Sequence, residues 1–248
     1  SDNRLLWRLV KDHPDIFDTH VVPKLNGNDV KFFYDVNTES RAAIKRSGVQ
    51  LRKAFKIGDF DTTSTISWAL EKCSEKKERF CWRMARKGDL ELLQFLHERG
   101  CPWDTLTCSY AALNGHLECL KYAHENGCPW DEKTCSGAAQ NGHLECLKFA
   151  HENGCPWNEG TCLSSAFKGR LECLKYAHEN GCPWDEETCS NAAKFGHLEC
   201  LKYAHENGCP WDETTCFNAA YNDHPESFKY AVENGCPQST NTEYNVWA

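Results

Sequence analysis

Gly-Cys-Pro-Trp stands at residues 100–103, 127–130, 154–157, 181–184 and 208–211 of the 248-residue chain. A sixth copy, Gly235-Cys236-Pro237-Gln238, keeps the 27-residue step. Self-similarity at a fixed period of this length marks stacked supersecondary units, none of which can bury its apolar face without a neighbour. Such an array offers a long surface to a partner and points away from a single reaction chamber.

Cutting at the recurrent Thr-Cys junction gives six units, starting at Cys81, Cys108, Cys135, Cys162, Cys189 and Cys216. The third serves as the example. Asp131 is suited to cap a helix, with Thr134 three residues on. Cys135, Ala138 and Ala139 then fall at i, i+3 and i+4, one narrow apolar face of a short helix whose small residues permit close packing. Gly142 ends that helix and His143 opens a second. There Leu144, Leu147 and Ala150 share a face, and Glu145 and Lys148 pair at i, i+3. Asn153-Gly154 supplies a left-handed stop, and Pro156 bars continuation. Each unit is expected to be a hairpin of two short helices.

The net charge of −8 is unevenly distributed. Residues 1–80 carry 15 Lys/Arg and 12 Asp/Glu, whereas residues 81–248 carry 13 and 24. The repeats are thus acidic overall, a poor match for a nucleic-acid backbone. No apolar run approaches the ~18 residues of a membrane span. The chain opens at Ser1 without Met, which leaves a removed targeting segment open. A secreted disulfide framework favours an even cysteine count in a short chain, and this chain of 248 residues has seventeen. Equivalent cysteines lie one helix layer apart, about 8–10 Å, beyond the roughly 7 Å between Cα atoms that a disulfide spans. The expectation is reduced thiols packed as small hydrophobes, in a reducing compartment, cytoplasm or nucleus. A metal array through residues such as Cys146, His151 and Cys155 is the alternative, but the chain has no Cys-x-x-Cys pair to support it. The Trp ladder (Trp103, Trp130, Trp157, Trp184, Trp211) is expected to stack across unit junctions, with Gln238 replacing it at the end.

The unit resembles the ankyrin repeat. Gly115-His116-Leu117-Glu118-Cys119-Leu120-Lys121 is similar to the family's Gly-His-Leu-Glu-Val-Val-Lys helix start. Gly127-Cys128-Pro129-Trp130-Asp131 is similar to its Gly-Ala-Asp-Val-Asn, and Cys135 to Ala139 stands where the family has Leu-His-x-Ala-Ala. The resemblance implies an all-α, ankyrin-like helical-hairpin solenoid over residues 81–242, followed by a tail at 243–248. At 27 residues rather than the family's 33, the β-hairpin finger should be replaced by a short loop. The resemblance gives His116, His143 and His197 a structural role at the helix start. His124, His151, His178 and His205 read as solvated helix ends, where a cation suits the dipole.

Comparison among the copies locates a candidate binding face. The second helices barely change, whereas the first helices change at three slots. The third slot reads Arg83, Tyr110, Gly137, Ser164, Asn191, Asn218. The sixth reads Arg86, Leu113, Gln140, Phe167, Lys194, Tyr221, and the seventh Lys87, Asn114, Asn141, Lys168, Phe195, Asn222. These slots lie at i, i+3 and i+4, hence on one face. Stacked, they form a stripe about 50–60 Å long at 8–10 Å per layer. The family resemblance implies that this face lines a concave binding surface. Tyr110, Leu113, Gln140, Phe167, Lys194, Phe195 and Tyr221 are the candidate contacts for a protein partner. Large apolar residues at solvent positions suggest contact with something.

The periodicity fails before Cys81. Residues 1–56 read as a small helical domain, with apolar positions broken by Pro23 and Asn26-Gly27-Asn28-Asp29. Pro14, Ile16, Phe17, Val22, Leu25, Asp29, Val30, Phe33, Val36 and Arg41 resemble a divergent F-box, lacking the tryptophan that often ends one. That resemblance implies that Phe17, Val22, Leu25, Val30 and Phe33 bind the small adaptor of a cullin–RING ubiquitin ligase. Residues 57–80, with Ile66, Trp68, Ala69 and Leu70 on one helix, read as a linker or degenerate half-repeat capping the stack.

Two functions follow: a substrate receptor that hands a protein to a ligase, or a structural subunit of a larger assembly. An enzyme is disfavoured because every Cys and His that could act as nucleophile or base is repeated, whereas catalysis needs one distinctive constellation. No phosphate-cradling glycine loop or metal-ligand spacing is present, so no cofactor or metal is expected.

Overall fold

The computed structural model describes residues 78–237. The chain divides into two units between Phe80 and Cys81, so nearly all of the described residues lie in the second. The helices form six successive hairpins. They are α1 (Glu78–Lys87) with α2 (Leu90–Glu98), α3 (Thr105–Leu113) with α4 (Leu117–Glu125), and α5 (Glu132–Asn141) with α6 (Leu144–Glu152). Then come α7 (Glu159–Phe167) with α8 (Leu171–Glu179), α9 (Glu186–Lys194) with α10 (Leu198–Glu206), and α11 (Glu213–Tyr221) with α12 (Pro225–Glu233). The described residues contain no strand. Six residues, 126–131 for example, connect one hairpin to the next. The architecture is the all-α ankyrin-like solenoid, with loops where fingers would stand.

Local chemistry sets each boundary. Asp104, Asp131, Asn158, Asp185 and Asp212 sit in extended backbone and accept from the amide two residues on. Asp131 Oδ1 accepts from the Lys133 amide at 3.1 Å, a cap of a kind worth about 1 kcal/mol. The second helix closes with a Schellman pair: the Gly154 amide donates to His151 O at 3.0 Å and the Cys155 amide to Ala150 O at 2.9 Å. Exposed Glu–Lys pairs at i, i+3 recur on the second helices, at 3.1 Å for Lys148 and Glu145.

The core is built mostly of alanine and cysteine. Cys135, Ala138, Ala139, Leu147 and Ala150 are fully buried, and Cys146 and Cys155 nearly so. In the hairpins from α3 to α10 the fully buried large side chain is a single leucine: Leu120, Leu147, Leu174 or Leu201. With so little bulk between them, the first helices α3, α5, α7, α9 and α11 pack closely on one another, and the second helices touch more sparsely.

The described cysteines are buried and unbridged. The connection thiol closes its own hairpin: Cys155 Sγ donates to the carbonyl of cap residue Asp131 at 3.2 Å, and Cys128, Cys182, Cys209 and Cys236 repeat the bond. The first-helix thiol points to the same end, Cys108 Sγ lying 4.0 Å from Cys128 O. A cysteine thus fills an alanine-sized space and adds a weak donor where a carbonyl would otherwise be half-satisfied.

Candidate functional site: the first-helix face

Most of the slots singled out from the copies are half-buried or exposed on the first helices, and Gly137 is buried. Tyr110, Leu113 and Gln140 surround one groove between α3 and α5, of about 230 Å³, together with Leu106, Ser109, Lys133, Ser136 and Gly137. The groove exists because the third slot of α5 is glycine. Tyr110 fills the same slot in α3, whereas a Cβ on Gly137 would sit in ordinary contact with Leu113 Cβ (3.4 Å) and Ser109 O (3.5 Å). Tyr110 is held from the other side by Trp82, with ring centroids 5.0 Å apart, and by the Arg86 guanidinium 5.9 Å from its ring.

Further along, Phe167 and Phe195 meet edge-to-face at 4.4 Å, with Lys168 and Lys194 placed over their respective rings. Phe195 is 37% exposed and Tyr221 72% exposed, stacked at 5.5 Å on Phe217. Leu113 and Phe167 are half-buried rather than fully open to solvent. Part of the seventh slot belongs to the stack and not to a ligand. Asn141 Nδ2 donates to Leu113 O at 2.7 Å across the unit junction, and Asn114 and Asn222 donate back into their own helices.

Copy-by-copy comparison missed Leu106 and Lys133. Both sit one turn before the third slot and so share its face. Their position varies as freely as the others, reading Leu106, Lys133, Gly160, Glu187, Thr214. A frame cut at the cysteine assigns that turn to the preceding unit, which hid the signal. Phe17, Val22, Leu25, Val30 and Phe33, the half-repeat positions of residues 57–77, and Gln238 lie outside the described residues.

The histidines fall into two structural sets. Those at the second-helix start rest on the glycine of the preceding unit: His116 Nε2 bonds Arg86 O at 3.1 Å, and its ring covers Gly88. Those at the second-helix end are only partly open to solvent. His124, His151, His178 and His205 are half-buried and stack on Trp130, Trp157, Trp184 and Trp211 at 3.7–3.8 Å. Each Trp turns an edge to the aromatic residue of the next second helix, Phe149 for Trp130, as the junction-stacking expectation required. The flat indole covers the imidazole, and the following unit closes the remaining side.

Burial holds His143 and His197 below the ordinary histidine range, and the nearby charges of His116 and Arg170 for the one, and of His224 and Arg170 for the other, add to it. A depressed folded-state pKa means that the unfolded chain takes up protons first. The stability these residues contribute is therefore complete above about pH 6.5 and is lost as pH falls through the lower folded value. Urea midpoints should drop between pH 7.5 and pH 5.5, and the drop should shrink in His143→Arg/His197→Arg, since Arg170 already occupies the equivalent place in the fourth unit. An unchanged slope in that double variant would assign the effect elsewhere.

The thiols differ in their electrostatics: hydrogen bonding to Cys162 and to Cys236 lowers Cys182 and Cys216, whereas others are held firmly protonated. Burial pushes Cys119, Cys146, Cys173 and Cys200 up to about 11. Hydrogen bonding to the connection cysteine, followed by burial, raises Cys108 and Cys135 still further. Thiols so held are protonated at neutral pH and serve neither as nucleophiles nor as metal ligands. Among the described residues, no three His, Cys, Asp or Glu side chains converge as a metal set.

Comparison with known proteins agrees with this geometry. Residues 108–151 and 189–232 match the family model for ankyrin repeats (many copies). The human ASB11 ankyrin repeat domain is similar in fold, with 20% identity and a TM-score of 0.55, over 63% of this chain and 83% of that one. No curated protein matches the sequence. Residues 108–151 and 189–232 thus match ankyrin repeats, and the described residues share the ankyrin-like fold. Among them, no helix is long and apolar enough to cross a membrane.

Proposed function

We propose that the first-helix face binds a protein partner through Tyr110, Leu113, Gln140, Phe167, Lys194, Phe195 and Tyr221. One observation carries this reading. On a stack whose second helices α4, α6, α8 and α10 are nearly invariant, large apolar side chains stand exposed or half-exposed at slots that sister copies fill with Gln, Lys or Asn. Stack energetics do not require them there, since the sister units pack without them. The test is a photo-crosslinking residue at position 195 or 221, with position 229 on the last second helix as control. Specific protein adducts are expected at the first two and not at the third. Equal labelling at all three would discard the stripe.

The receptor reading adds the F-box-like run of residues 14–41, which would join the bound protein to a cullin–RING ligase. Its support is the sequence pattern alone. Purified adaptor should bind the chain at micromolar affinity or tighter, and Phe17→Ala and Leu25→Ala should abolish that binding. Without adaptor binding, the assembly-subunit reading would take its place.

A further inference from the structure

We infer that the partner contacts this face through an acidic segment bearing one apolar side chain, which seats in the groove beside Gly137. This rests on the protein-binding reading above and specifies its chemistry. Residues 81–248 hold 24 Asp/Glu against 13 Lys/Arg, so a surface sampled at random from them would be acidic. The eighteen stripe slots hold five of those cations, Arg83, Arg86, Lys87, Lys168 and Lys194, and none of the acids. Lys133, on the groove wall, adds a sixth. Widening the face by the same turn also admits Glu187, so the positive field is strongest over the first four units. Charge of one sign collected on one strip of an oppositely charged molecule draws a complementary ligand there and repels it elsewhere.

The groove supplies the apolar half. Leu106, Tyr110 and Leu113 line it from α3, with Leu106 38% exposed, and Gly137 and Gln140 line it from α5. Its volume of about 230 Å³ suits one leucine- or phenylalanine-sized side chain. Lys133 borders it within α5, and Arg86, over the Tyr110 ring, stands on the α1 side. An extended segment crossing the helices would therefore place carboxylates near Arg86 and Lys133 with its apolar residue between them. Lys168 over Phe167 and Lys194 over Phe195 continue the same pairing of cation and ring down the stack. A nucleic acid fits less well: its phosphates recur at every residue, whereas beyond Arg83, Arg86 and Lys87 on α1 the cations here are single and spaced by whole helix layers within a net-acidic array.

The test is selection of a random twelve-residue peptide library on the full chain, followed by titration of synthesised winners. Gly137→Tyr aims at the groove the residue that α3 already carries at that slot, and Gly137→Asn repeats the asparagine of α9 and α11, so both variants use side chains that sister units carry there. Winners should carry Asp or Glu on both sides of one apolar residue. They should lose about tenfold or more in affinity to Gly137→Tyr and to Lys133→Glu, and bind more weakly as salt rises. Basic winners, winners indifferent to both variants, an absence of winners, or tighter binding of a twelve-nucleotide single strand would each overturn the inference. Crosslinks at positions 195 and 221 alongside any of these would show that only the acidic-segment chemistry had failed; their absence as well would remove the binding face itself.

Discussion

Leu174→Ala is expected to destabilise the array by about 4 kcal/mol, in the upper part of the range for buried leucines. Leu174 is fully buried and packs in a cluster with Cys162, Ala166, Ala177, Cys189, Ala192, Ala193 and Leu201. The cost of such a truncation depends on how far the neighbours can relax into the cavity. Alanine has no side-chain rotamers to offer, and the cysteines are tied by their thiols to carbonyls, Cys189 Sγ to Cys209 O and Cys182 Sγ to Asn158 O. The void should therefore persist. In an array stabilised by nearest-neighbour interfaces, a lesion in the middle also uncouples the two sides. Urea unfolding followed by circular dichroism should become broader or biphasic as well as shifting. Leu171→Ala, at a half-buried position of the same helix, is the control and should cost about 1–2 kcal/mol. A Leu174→Ala loss no larger than the control's would mean that the layer collapses after all.

Gly196→Ala should cost about 3 kcal/mol, against about 1 kcal/mol for Gly208→Ala. Both glycines have left-handed backbones, φ +68° and +84°, where any Cβ is strained by about 1 kcal/mol. They differ in what stands beside them. A Cβ on Gly208 would meet nothing within 4 Å, whereas one on Gly196 would meet His224 Nδ1 at 2.5 Å and Cε1 at 2.8 Å. That ring is confined at the start of α12, so the overlap should add about 2 kcal/mol of overpacking. The fifth-unit glycine thus serves both its own helix end and the seating of the next unit. Asp223 fits this account: it is the one non-glycine with positive φ among the described residues, at +59°, and it stands in the last described hairpin. Equal losses for the two variants in chemical denaturation would reduce the role of Gly196 to its backbone angle.

Much of this molecule is legible in its residues. The 27-residue step, the Asp131-type caps, the Asn-Gly stops and the apolar faces are settled by interactions within one or two helical turns, and local physics acts on local sequence. Cysteine burial was equally readable, because the thiols occupy positions whose spacing places them on the inner faces. The end-of-helix histidines were misread as solvated because their cover is the indole that follows the turn, and the closing of that stack comes from the next unit 25 residues away. The same holds for the groove. Comparison of copies marks Tyr110, Leu113 and Gln140 as variable, yet it shows neither that Gly137 opens a space between two helices nor that Leu106 and Lys133 wall it. The repeat unit and its direction of stacking were thus decided by short-range propensities written in the chain, whereas the Gly–His seats, the closing of the His–Trp pairs by the next unit and the shape of the candidate face were decided by packing between residues about 19 to 30 positions apart, which exists only once neighbouring hairpins have docked.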